Sequence, residues 1–377
     1  MKSSDNLLMV ADSEHDANML YAVGLFVPDP FIYLRLRGRD YIVMSDLEID
    51  RARRDATHCH VLSLSKYQKR LRDSGITTPG HAQVISQILR ERKIRRVIVP
   101  PDFPFGLALE LKRLRISVST SGGSFFPQRE LKQPAEVKKI SAALMMAEVG
   151  MSEAMHVLRA TKIGRDRRLF YHNIPLTSEK LRSVIDCAIL QACGLAVNTI
   201  VAGGKQGCDP HERGFGPLRA NEPIIIDIFP RSQKTGYFGD ITRTVVRGRA
   251  SEGVRRLYDT VQRGQTLACK QVRAGVPTSH VHQTVTKFFV EQGYQTGRRN
   301  GRMEGFFHGT GHGLGLEIHE TPRLGQFSKG ALAAGHVITI EPGLYYPDLG
   351  GVRLEDVMFV TRTGARNLTR FEKQLEI

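Results

Sequence analysis

Apolar and polar positions change period repeatedly along this 377-residue chain, and each change marks an element. Leu7-Leu8-Met9-Val10 is a short apolar run of the kind a buried strand makes. Ser13 then reads as a helix cap, with Glu14 and Asp16 favourable in the first turn, predicting a helix through Tyr21. Phe31–Leu34 and Tyr41–Met44 read as strands on either side of a turn at Arg37-Gly38-Arg39-Asp40. An amphipathic helix over His81–Arg92 leads to another strand, Val97–Pro100. This alternation predicts a small α/β domain over residues 1–125. The Ser/Gly run Ser119–Ser124 and residues 126–133 read as linker.

From Pro134 the period becomes helical. Val137, Ile140, Leu144, Ala147, Met151, Met155 and Leu158 fall on one face of a long helix with the proline at its first position, and the methionines read as core. Two later segments echo each other. Ile174-Pro175-Leu176-Thr177-Ser178 opens a helix ending at Gly194, and Gly275-Val276-Pro277-Thr278-Ser279 opens one ending at Gly293. Each follows a longer helix and precedes strand-like sequence. A helix–helix–hairpin unit used twice predicts a pseudo-symmetric α+β domain over 134–377, with a site between its halves.

Length supports this division, since about 150 residues per domain gives roughly two and a half. With 41% hydrophobic and 24% charged residues, the composition excludes a disordered or collagen-like chain. No apolar run approaches the roughly 18 residues of a membrane helix, and Met1–Asp16 contains no leader-like apolar core. Five cysteines without CxxC spacing read as reduced thiols, which predicts a cytoplasmic location and excludes a disulfide framework or zinc finger. The net charge of +16 is divided as about +6 before residue 133 and +10 after it. Its densest clusters, Arg90–Arg96 and Arg165–Arg168, interleave with Ile and Leu as solvated faces do, so neither a membrane nor nucleic acid is expected as partner.

Chemistry gathers in the last 170 residues. Pro223–Phe229 is an apolar strand with Asp227 at its centre, and an ionised carboxylate there is costly unless paired or metal-bound. Tyr237–Val246 alternates as a second strand, with Asp240, Thr242 and Thr244 on one face. A hairpin centred on Gln233-Lys234 predicts Asp227 directly opposite Asp240. That repulsion becomes binding if a divalent cation lies between them. In Phe307–Glu320, His308 and His312 have i, i+4 spacing, but Gly309, Gly311, Gly313 and Gly315 each cost a helix about 1 kcal/mol. The segment therefore reads as a closely approached loop entering a strand. Glu341 ends the strand Val337–Ile340, and Arg353 and Glu355 share a face of the next. Four carboxylates and a histidine make a set for hard divalent ions, and that much negative charge argues for two of them.

Taken together, Asp227…Gly-Asp240-Ile-Thr-Arg-Thr, His308-Gly-Thr-Gly-His312-Gly-Leu-Gly-Leu-Glu-Ile-His319-Glu, Ile-Glu341-Pro-Gly-Leu-Tyr345 and Gly-Val-Arg353-Leu-Glu355-Asp resemble the pita-bread, M24-type metallopeptidases. That family includes methionine aminopeptidase, Xaa-Pro dipeptidase (prolidase) and aminopeptidase P. The resemblance covers most of residues 133–377 and implies a pita-bread catalytic domain behind a smaller N-terminal one. It implies five metal ligands, Asp227, Asp240, His312, Glu341 and Glu355, with Asp240 and Glu355 bridging two ions (manganese first; cobalt, zinc or iron as alternatives). It also implies Glu341, His211 and His319 as catalytic groups, with His308, Tyr345 and Arg353 shaping the substrate pocket. A water bridging two such ions would become a hydroxide near neutrality, with Glu341 as general base.

The N-terminal domain and the His-Gly-Thr-Gly-His-Gly run point to the Xaa-Pro branch, and so to a homodimeric exopeptidase acting on proline-containing dipeptides or peptide N-termini. One departure is the Asp227–Asp240 spacing, two residues longer than is usual in the family. An even insertion in the turn keeps both side chains on their faces. Three other readings stand beside this one. A creatinase-like amidinohydrolase shares both domains but lacks the five ligands, and an aminopeptidase without proline specificity shares the site. A non-catalytic scaffold binding an anionic partner is favoured only by the +16 charge.

Overall fold

The computed structural model describes residues 5–377; Met1–Ser4, part of the stretch read as lacking a leader core, lie outside them. The chain divides into two compact units, the first ending at Arg129 and the second spanning Glu130–Ile377.

The first unit carries strands β1 (Leu7–Ala11), β2 (Phe31–Leu36), β3 (Arg39–Met44), β4 (His60–Ser63), β5 (Arg96–Val99) and β6 (Ser117–Thr120) in one sheet, ordered β4-β3-β2-β1-β5-β6. Helices α1 (Ala17–Val23), α2 (Ile49–Asp55), α3 (Leu64–Asp73), α4 (His81–Glu91) and α5 (Phe105–Arg113) connect them. Apolar residues cover both faces. Leu7, Met9, Tyr33 and Ile42 pack with Met19, Val23 and Ala52, whereas Leu8, Ile32, Leu34 and Val43 pack with Ile85, Ile88 and Leu89. A strand buried on both sides has no reason to alternate, which is why β1 is apolar throughout.

Three expectations change here. The first helix is capped by Asp16, whose carboxylate accepts from the Met19 amide, and not by Ser13. The Ser13 hydroxyl is fully buried and links two backbone segments, donating to the Leu25 carbonyl and accepting from the Val27 amide. The stretch read as linker supplies half of β6, and Phe126, Arg129 and Lys132 farther along it are buried. The short helices α2, α3 and α5 are further elements, and each buries at most two residues.

In the second unit, the long α6 (Pro134–Arg159) carries all seven expected face positions as buried residues, with Pro134 at its first turn. It packs on α7 (Ser178–Gln191), and both precede a three-stranded antiparallel sheet of Ile200–Gly203, Pro223–Ile228 and Ile241–Val246. The plan then repeats. Helices α8 (Glu252–Gln271) and α9 (Thr278–Glu291) precede a five-stranded sheet ordered Glu320–Leu324, Gly311–Gly313, Val337–Ile340, Asp356–Val360, Ala365–Asn367. A hairpin of Gly343–Tyr346 and Gly350–Arg353 completes it.

Two glycines mark where backbones meet. A Cβ on Gly239 would lie 2.4 Å from the Leu144 amide nitrogen, so α6 rests directly on the backbone preceding Asp240. A Cβ on Gly311 would lie 1.9 Å from the Thr339 carbonyl oxygen, so the strand bearing His312 runs flush against the one leading to Glu341. Because α6 supports the Asp240 strand through its core face, Leu144→Ala should lose about 2–5 kcal/mol of unfolding free energy. Met145→Ala, at a side chain 64% exposed, should stay within about 0.5 kcal/mol; urea titration of both variants measures the contrast.

Candidate metal centre

The Pro223–Ile228 strand is buried along its whole length and carries Asp227 inward. Its register differs from the expected one: Asp227 lies opposite Thr242, and Ile228 opposite Ile241. The turn is tighter on its far side, with the Ser232 and Tyr237 backbones bonded and Arg231 bridging Phe238, which moves the hairpin centre by one residue and the partner by two. A shift of two keeps Asp240 on the same face, so both carboxylates still enter one cavity, in diagonal and not direct opposition.

That cavity holds about 640 Å³ and is lined by all five expected ligands together with His211, His308, His319 and Arg353. Ligand atoms of Asp240, His312 and Glu355 lie within 4.8 Å of one another, and all three residues are buried. His312 Nε2 is 3.2 Å from Glu341 Oε1 and 3.7 Å from Asp240 Oδ2, while its Nδ1 lies 3.1 Å from the Gly313 carbonyl. A carbonyl accepts only from N–H, so Nδ1 carries a proton, and Nε2 faces the carboxylates, donating to Glu341 when the ring is protonated and offering a lone pair to a cation when it is not. The neutral form, with its proton on Nδ1, is the tautomer a metal ligand needs.

The acids are held from behind. Thr242 Oγ1 donates to Glu355 Oε2 at 2.7 Å, and Arg353 donates to Asp227 Oδ2 at 2.7 Å. Asp227 Oδ1 and Glu355 Oε1 are buried with no hydrogen-bond partner. Buried anionic oxygens with unused lone pairs are costly on their own and are what a cation would satisfy. The residues present therefore fit divalent metal.

Electrostatics agree. Burial, and then the Glu355, Asp227 and Glu341 carboxylates, push the Asp240 carboxyl well above its ordinary range. Burial followed by Glu341 and Asp227 does the same to Glu355. Burial also acts upward on Glu341, but the His312 hydrogen bond and nearby positive groups outweigh it and bring that carboxyl down to about 2.

His308, Tyr345 and Arg353 form a polar relay along the wall. His308 Nε2 lies 2.8 Å from the Tyr345 hydroxyl, which accepts from Arg353 at 3.0 Å, and Arg353 reaches Asp227. Burial lowers His308 to about 4, and burial and then His312 lower His319 to about 4, so both are neutral imidazoles near neutrality. His319 stands edge-on to His312, with ring centroids 4.4 Å apart. His211 is exposed on the turn after Pro210.

Sequence reading missed the brace behind these side chains. Gln265, on α8, donates to the Ile340 and Leu354 carbonyls and so fixes the backbone just before Glu341 and Glu355. Arg243 is 1% exposed, donates to the Glu355 carbonyl at 2.6 Å and pairs with Asp356. Glu320 accepts from the Leu316 and Glu317 amides, shaping the loop that presents His319, and pairs with buried Lys132 at 2.5 Å. Glu320 follows His319 in the motif, but nothing local announces a partner 188 residues upstream.

Residues 138–362 match metallopeptidase family M24. The Xaa-Pro dipeptidase of Pyrococcus furiosus is 36% identical over 181 residues, which are 48% of this chain and 49% of that protein. An uncharacterized peptidase of Staphylococcus aureus is 30% identical over 248 residues, 65% of this chain and 64% of that one. The chain thus spans about half the length of the first of these curated relatives. Among solved structures, an X-Pro aminopeptidase from Thermotoga maritima superposes with TM-score 0.83 at 21% identity, over 99% of this chain and 97% of that one. The prolidase from Pyrococcus furiosus gives 0.79 at 23%, over 98% of each chain. These likenesses establish the pita-bread fold.

Removing one partner of the buried Lys132–Glu320 pair leaves an uncompensated charge, so Lys132→Met should destabilise by about 3–5 kcal/mol. The double variant Lys132→Met/Glu320→Leu should recover a substantial part in urea unfolding; no recovery would mean that the ion pair is not the brace.

Proposed function

The chain belongs to metallopeptidase family M24, and from that premise we propose that it is a dinuclear-metal exopeptidase of the Xaa-Pro branch. The observation that carries the proposal is the convergence of Asp227, Asp240, His312, Glu341 and Glu355 on one cavity with buried, unpartnered carboxylate oxygens. Asp240 and Glu355, each crowded by the other acids, would be shared by the ions, Asp227 would serve one of them, and His312 with Glu341 would serve the other. Manganese is the ion proposed first. When bound, such ions supply Lewis acidity toward a carbonyl oxygen and acidify a nearby water.

The chain's own groups do the rest. Glu341 takes the proton from the attacking water and delivers it to the leaving amine, a role typically worth 10²–10⁴-fold. Its low affinity for protons in the resting site keeps it in the accepting form. His319, a neutral imidazole at the cavity edge, donates to the oxyanion, and each such donor is typically worth about 3 kcal/mol. His211 and His308 frame the substrate, and Tyr345 and Arg353 hold His308 and Asp227 in place.

Proline specificity is supported by the cavity's apolar side, where Ile200, Phe229, Phe307, Ile318 and Leu324 offer a surface for a pyrrolidine ring. The cavity volume suits a short peptide. The Xaa-Pro names carried by relatives and structural neighbours point the same way.

Protein purified without chelator should carry close to two transition ions per chain by mass spectrometry, lose activity with chelator, and regain it with Mn²⁺. Absence of bound metal and of turnover after adding Mn²⁺ would favour the scaffold reading. Glu341→Gln should lower kcat at least about 10³-fold with an unchanged unfolding midpoint. With Mn²⁺ present, Xaa-Pro dipeptides and tripeptides should be cleaved in preference to Met-Ala peptides; indifference to proline would make it a broader aminopeptidase.

A further inference from the structure

The charge that looked scattered along the sequence is sorted by the fold of the first unit. At the ends where β1 and β5 finish, acids predominate: Asp12, Asp16 and Asp102 line one depression. The opposite edge is basic. The β2–β3 turn places Arg37 and Arg39 there, the start of β5 places Arg95 and Arg96, and the turn into β6 places Arg115. All five are exposed. Backbone and side-chain bonds tie them to one edge: Arg37 donates to the Arg92 carbonyl, and the Ser117 amide donates to the Arg95 carbonyl. Arg90, Lys93 and Arg113 extend the row at the ends of α4 and α5. Among the described residues, no ion pair joins any of these eight to a carboxylate.

Helix ends explain part of the row, because cations favour helix C-termini. They do not explain the arginines of the β2–β3 turn and the β5 start. Backbone conformation adds a second observation. Arg37, Lys93 and Arg115 all adopt left-handed φ, at 51°, 54° and 63°. Glycine or asparagine is favoured at such positions, and another side chain costs about 1–2 kcal/mol there. This chain keeps a cation at each of the three, on the same edge.

We propose that this edge docks duplex nucleic acid through its phosphate backbone, without reading sequence. From the β2–β3 turn to β6 is three strand spacings, about 14 Å. Over that length a duplex presents about eight phosphate charges. The cations stand on strand ends, a rigid row, and arginine forks match phosphate oxygens. Among the described residues of this unit, the exposed large apolar ones, Leu47, Phe105 and Leu109, lie outside the row, which favours a polyphosphate over a membrane needing an apolar anchor. The aromatics beside it, Tyr41 and His60, stack on one another with Arg92 over the Tyr41 ring, so that ring is already engaged, which favours duplex over single strands.

The test uses the full chain and fluorescein-labelled DNA and RNA duplexes of about 20 base pairs, with anisotropy read from about 50 to about 200 mM salt. Neutralising about five or six phosphates predicts a log–log slope of about −4.5 to −5.5. Reversing Arg37, Arg39, Arg95 and Arg96 to Glu should weaken binding more than tenfold and flatten the slope by about one for each phosphate no longer neutralised, with peptidase activity and unfolding midpoint unchanged. Should that variant fail to fold, the milder Arg39→Gln/Arg96→Gln pair should still flatten the slope by about two. Preference for DNA or for RNA duplex identifies the source of the phosphates. Three results would each overturn the proposal: no duplex binding at the lowest salt, an unchanged slope in the charge variants, or tighter binding to phosphatidylserine vesicles than to either duplex.

Discussion

Four carboxylates and one imidazole share one cavity, and that crowding constrains everything around it. Asp240 and Glu355 are both driven toward the protonated state by burial and by one another's neighbours. A protein does not hold such a set by side-chain packing alone. Each acid sits at or beside a strand end, where the backbone is already fixed by ladder hydrogen bonds. Each of three is also tied from behind by a donor: Thr242 for Glu355, Arg353 for Asp227, Thr339 for Glu341. The two orphaned oxygens are the lone pairs left over for cations.

This constraint accounts for the pseudo-symmetric architecture. Two helix pairs each back an antiparallel sheet, and the ligands divide between the sheets. Asp227 and Asp240 come from the first, His312 and Glu341 from the second, with Glu355 beside its fourth strand. The halves must therefore keep a fixed relation within the unit. Arg243 does this by reaching from the first sheet to the Glu355 carbonyl and to Asp356 of the second. The Glu355 amide returns a bond to the Thr242 carbonyl. Gly315 accepts from the Phe238 amide, so the loop presenting His319 is also tied to the hairpin carrying Asp240.

Much of this was legible in the order of residues. The apolar face of α6, the repeated helix openings and the glycine-rich histidine segment each had a period or composition with one physical reading. What escaped had no local mark. Ser13 and Asp16 are both good caps, and the choice fell to Asp16 because the Ser13 hydroxyl was needed to join two buried backbone segments. Lys132 looks like any lysine until Glu320 is brought to it. Short helices such as α2 bury only two residues, too few to impose a period on their sequence.

The sequence by itself determined which chemistry was available and on which face each acid stands, because strand parity survives any even shift. It could not determine register: the Asp227 partner moved from Asp240 to Thr242 because turn geometry, and not pattern, sets where a hairpin closes. It also could not determine which distant charges meet. Lys132 with Glu320 and Arg243 with Asp356 pair across more than a hundred residues. The basic row exists only because parallel and antiparallel strands bring separate loops to one edge. Periodicity is a property of neighbours along the chain, whereas pairing of charges is a property of neighbours in space, and only the folded backbone relates the two.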